Sequence, residues 1–137
     1  MAAFNKTNSF VEAIIKKVHN LQSDALKVAL CAAANAPVAT NTQLSNLTEI
    51  SYTNCSARAL TTTSCVQTSG TLKLLIVDLV LTASGTVGPF RYVVLYNDTA
   101  TNKELIGWYD YGSDLTLASG ETFTIDFDGS AGVLTIA

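Results

Sequence analysis

Catalysis by proton transfer or by a nucleophile needs titratable side chains held close together, and this 137-residue chain supplies few of them. His19 is its one histidine. A serine–histidine–acid site would have to use it, yet no G-x-S-x-G elbow is present. Its position late in an expected helix explains it better, because a helix C-terminus favours a cation. Asp110, Asp114, Asp126 and Asp128 are the acidic residues that could line a cleft. A glycosidase needs two opposed carboxylates, and a calcium loop needs a D-x-D-x-D-G series. Asp126-Phe127-Asp128-Gly129 is only a fragment of such a loop, with no Glu following, and reads as an Asp-Gly turn. Cys31, Cys55 and Cys65 form no C-x-x-C, and a zinc site would need all three to meet His19 without motif spacing. Gly85, Gly88 and Gly112 read as turn residues, outside any phosphate-binding glycine motif. The chain is therefore expected to be a non-enzyme with no catalytic, cofactor-binding or metal-ligating residues.

The aromatic residues are the other candidates. Strand alternation puts Tyr92 and Tyr96 on one face and Arg91, Val93 and Leu95 on the other. The same rule sets Tyr109 and Tyr111 opposite Trp108. One set should fill the core, and the other should pack against a second protein subunit. The expected interface residues are Phe4, Pro37, Val38, Leu44, Tyr92, Tyr96, Tyr109 and Tyr111.

Composition points to a protein partner as well. Charged residues make up 14% of the chain, against ~25% in ordinary soluble domains. Mean hydropathy is +0.30. A surface so short of charge is expected to be partly covered. Net charge is −3 and the isoelectric point about 4.9, which argues against phosphate binding and hence against a nucleic-acid partner. Lys16-Lys17, the only adjacent basic pair, reads as a solvated helix face. Leu72–Leu81 contains Lys73 and Asp78 and is too short to cross a bilayer, so no membrane role is expected. The opening MAAFNKTNSF has neither a basic nor an apolar leader region, so synthesis inside a cell and free thiols are expected.

The elements that must carry these residues are mostly strands. Ser9-Phe10-Val11-Glu12 has capping-box form, and Phe10, Ile14, Val18 and Leu21 follow at helical spacing, widened by Val11 and Ile15. One helix over about residues 9–20 is expected. From about residue 25 to residue 137 the chain reads as short strands: 25–31, 47–52, 57–63, 72–81, 90–96, 104–111, 122–127 and 133–136. The 72–81 run is apolar on both faces and should be central. Residues 97–103 form a polar hairpin loop. Met1–Asn8 and an arm over Pro37–Leu44 have no core pattern and should order only on binding. The expected fold is mainly β, a single β-sandwich or jelly-roll-like domain spanning 1–137 with one N-terminal helix.

Two stretches, Gly88-Pro89-Phe90-Arg91-Tyr92-Val93-Val94-Leu95-Tyr96-Asn97-Asp98 and Glu104-Leu105-Ile106-Gly107-Trp108-Tyr109-Asp110-Tyr111-Gly112, carry a family resemblance. With Phe4-Asn5-Lys6, Phe10-Val11-Glu12 and Lys17-Val18-His19-Asn20-Leu21, they resemble small virion proteins of tailed bacteriophages, of the kind encoded among the head genes. The resemblance implies a structural protein without a cofactor, made in the host cytoplasm and located in the virion. It implies a capsid decoration, or cement, protein on the outer face of the lattice. Its partners would be the major capsid protein or other virion subunits, with self-association as a dimer or trimer. A neck, tail or head-fibre component, or a carbohydrate- or receptor-binding module, remains the alternative.

Overall fold

The computed structural model describes residues 2–137, and over them the chain is mainly β, with several antiparallel sheets and one α-helix. The elements are β1 (Phe4–Lys6), α1 (Phe10–Ile15), β2 (Leu26–Cys31), β3 (Thr62–Thr68), β4 (Thr71–Ile76), β5 (Leu79–Thr82), β6 (Val87–Asn97), β7 (Leu105–Leu117), β8 (Thr122–Ile125) and β9 (Leu134–Ile136). A four-stranded sheet has the order β1-β7-β6-β2, a three-stranded sheet the order β3-β4-β9, and β5 pairs with β8. This arrangement is compatible with a sandwich.

The long β6–β7 hairpin organises the core, because its valines, leucines and aromatics suit a sheet covered on both faces. Val93 and Leu95 of β6 meet Val28 and Leu30 of β2, Leu74 of β4, Leu81 of β5 and Ile125 of β8 in the main cluster. On the opposite face Tyr92, Val94 and Tyr96 join Ala29, Cys31 and Leu105 in a second cluster, roofed by Leu44, Leu47 and Trp108. Each fully buried aliphatic side chain contributes about 2 kcal/mol.

α1 is shorter than the helical spacing predicts. Ser9 itself has helical dihedrals and makes no side-chain cap bond, and Glu12 pairs with Lys16 instead. The helix stops because Lys17 turns left-handed at φ 60°. There the Lys17 N–H donates to Ile14 O at 3.1 Å and the Val18 N–H to Ala13 O at 2.8 Å. That is the Schellman termination, with lysine where glycine is usual. Val18 and His19 therefore leave the helix axis. Phe10 is buried, but Val11 and Ile15, expected to widen the buried stripe, are exposed.

Other boundaries move for identifiable reasons. The 72–81 run is not one central strand. It breaks after Ile76, where the Val77 N–H donates to Thr61 O and Asp78 accepts the Phe127 N–H, and it enters two sheets as β4 and β5. Residues 47–52 and 57–61 are not strands; they run irregularly, with an isolated bridge from Ala59 to Lys27. β3 takes a more polar stretch, because pairing with β4 satisfies its backbone. The terminal segment and the arm are folded here rather than awaiting a partner. β1 pairs with β7, and Met1 lies outside the described residues. The arm bridges at Gln43–Glu104 and exchanges Leu44 N–H→Lys103 O and Leu105 N–H→Thr42 O bonds. Gly107 permits β1 to dock: a Cβ there would stand 2.5 Å from Asn5 O and strike the Phe4 ring.

Candidate functional site

Polar side chains converge most densely where β6 ends, around Asn97. Asn97 is fully buried. Its amide donates to Asp24 Oδ2 at 2.6 Å and to Val18 O at 3.4 Å, and it faces His19 Nδ1 at 3.1 Å. Its Oδ1 accepts the Thr99 and Ala100 N–H groups. Asp24 Oδ2 also accepts the Asn20 N–H. One side chain thus ties the segment after α1 to the β6–β7 loop. Next to it Asp98 holds Lys27 at 2.9 Å and Lys103 at 2.8 Å. Those two ammonium groups keep the Asp98 carboxyl below its usual range.

His19 does not lie late in a helix as the helical spacing implied, because α1 ends at Ile15. It is buried against the Phe10 ring, with centroids 5.5 Å apart, and its Nε2 and Glu104 Oε2 are buried without a hydrogen-bond partner. Burial lowers its pKa from the ordinary 6.5, against the opposing charges of Glu104 and Asp24 and the Leu105 backbone. The unfolded chain, with the higher value, takes up the proton more readily. Stability from this group is therefore complete above pH 6.5 and falls as the pH drops below it. The urea midpoint is expected to decrease between pH 7.5 and pH 5, and His19→Leu should flatten that dependence. An equal slope in wild type and variant would refute this role.

The remaining polar groups hold backbone or pair across strands. The Arg91 fork binds Asp110 at 2.7 and 2.9 Å on the surface. Arg58 lies 3.6 Å from the Tyr52 ring centroid and donates to Val28 O. The Tyr52 hydroxyl donates to Glu49 at 2.7 Å and receives the Leu30 N–H; burial raises its pKa, with Glu49 adding to the effect. Asp126 and Asp128 do not form a cation loop: Asp128 caps the Ser130 and Ala131 N–H groups, and no group of three or more metal-ligating side chains converges among the described residues. The three cysteines are free, and burial pushes the Cys31 thiol up to about 11.

The expected interface residues separate by burial. Tyr92, Tyr96, Tyr109 and Pro37 are buried within the fold. Tyr111 is half-buried, edge-on to Phe123 at 5.1 Å, and Phe4 packs 5.2 Å from Tyr109. Leu44 is half-buried over the second cluster. Of the eight, Val38 is exposed, at 50%. Tyr92, Tyr96 and Tyr109 therefore pack inside the monomer. Besides Val38, the exposed aliphatic side chains that could meet a partner are Val11, Ile15, Val66, Val77, Val80 and Ile136. Ile15 is 83% exposed. Ile136 lines both a cleft of about 480 Å³ with Ile14 and Leu72 and a neighbouring groove with Val11 and Phe4. Periodicity alone could not expose them, since Val11 and Ile15 sit at core-like spacing in a helix that stops early. No family model, curated protein or solved structure matches the chain.

Proposed function

We propose that this chain is a non-enzymatic structural protein of a tailed-bacteriophage particle that binds other subunits, as a decoration protein on the outer face of the capsid lattice. The observation that carries the subunit-binding part is the exposed aliphatic surface around α1 and β9, on a domain whose charged fraction is only 14%. Exposed apolar surface of this kind is what association covers. The convergent polar groups support a structural role, because Asn97, Asp98, Asp128 and Arg58 spend their hydrogen bonds on the chain's own backbone and neighbouring side chains. The phage assignment rests on the resemblance of the β6–β7 hairpin sequence and the N-terminal segment. Its partner on the particle is the major capsid protein, with virion subunits of the neck, tail or head fibre as the alternative. Neither a nucleic acid nor a membrane is required. Comparing the heat resistance of particles made with and without the chain tests this reading.

A further inference from the structure

Two separate surfaces carry exposed aliphatic side chains, and the charges beside them are opposite. The first lies at α1 and β9, where Val11, Ile15 and Ile136 are exposed. Lys6 lines the groove on one side and Lys17 the cleft on the other. Neither lysine forms an ion pair among the described residues, whereas nearby Lys16 is matched by Glu12. The second surface follows the end of β4, where Val77 and Val80 are exposed. β5 pairs with β8 so that Val80 stands opposite Thr124. Asp78 precedes β5 and Asp126 follows β8 at the same end of this pair, both exposed and neither paired with a cation among the described residues, while Asp78 accepts the Phe127 N–H. β4 runs from Leu72, which lines the first surface, to Ile76 beside the second, and holds the two apart.

We propose that the lysine-flanked α1–β9 surface of one copy docks on the aspartate-flanked β5–β8 surface of another copy, giving a head-to-tail association. A partner bringing Lys6 and Lys17 offers these carboxylates the cations they lack while both aliphatic patches leave water. An interface made of two different surfaces differs in kind from a self-complementary one: each copy keeps one surface unused, so association continues until a ring closes or a filament grows. The proposal does not depend on the virion reading and holds for the purified chain alone.

The test is sedimentation velocity on the full chain, wild type and two variants, Ile15→Asp and Val80→Lys. Both substitutions fall at exposed positions, and far-UV circular dichroism checks that each variant keeps its fold. Wild type is expected to form species larger than a dimer, shrinking as salt is raised. Each variant alone should associate roughly a hundredfold more weakly, since each buries a like charge against the opposing surface. An equimolar mixture of the two should associate again, at least to a one-to-one dimer, because each variant retains the surface that the other needs. A wild type that stays monomeric, a Val80→Lys chain that associates normally, or a mixture that stays monomeric overturns the proposal.

Discussion

Phe90→Ala is expected to lower the free energy of unfolding by about 3–5 kcal/mol, the usual cost of emptying a buried aromatic site. Phe90 is fully buried, and its ring stands edge-on to Phe123 with centroids 5.3 Å apart. It joins the main core cluster with Val93 and Leu95. Simple alternation would have put it on the face of Tyr92. The β6–β7 register shifts between Phe90 and Tyr92, and this irregularity turns the ring inward. The surrounding strands are hydrogen-bonded and cannot collapse onto the vacated volume. A urea midpoint lowered at unchanged slope is the expected reading. A loss below about 1 kcal/mol would place Phe90 outside the core, since that is the scale of a surface substitution.

Asn97→Leu is expected to cost about 3 kcal/mol, because it strands several groups at once. Leucine keeps the branched four-atom skeleton but puts methyl groups where asparagine has its donor and acceptor. The Thr99 and Ala100 N–H groups lose their acceptor, and the Asp24 carboxylate loses its 2.6 Å donor. Asn97→Asp should fall between wild type and the leucine variant: it keeps the acceptor for the loop but sets a second carboxylate against Asp24. Hydrogen exchange should speed up in residues 18–24 and 98–103 before the rest of the chain. Uniform acceleration over all strands would contradict the clasp role.

Where burial alone decided the structure, it was legible in the sequence. The alternation of Phe123, Ile125 and Phe127 with exposed neighbours marks β8, and Leu26, Val28 and Leu30 mark the inner face of β2. The polar 97–103 segment marks the hairpin loop, which begins after Asn97, itself the buried end of β6. Features set by a backbone choice or by a partner distant in sequence were not legible. Lys17 adopts a conformation that its side chain does not announce, and it ends α1. β1 is three residues long and exists because Gly107 admits it. β3 is recruited by β4. Tyr92 and Tyr96 are buried by the same logic: they fall on the outer face of the four-stranded sheet, but Leu44 of the arm and Leu47 of the stretch read as a strand cover that face. Val80 and Ile15 gave no signal, since aliphatic residues at regular spacing look alike whether or not the fold covers them.

The central claim is that this domain works by binding and stabilising a shell of other subunits. The most direct measurement heats purified particles made with and without the chain and follows genome release, with the purified chain added back to the deficient particles. The account predicts that deficient particles open at lower temperature and that add-back restores the wild-type value, because many modest interfaces on one lattice sum to a large effect. Equal release temperatures with and without the chain would contradict it.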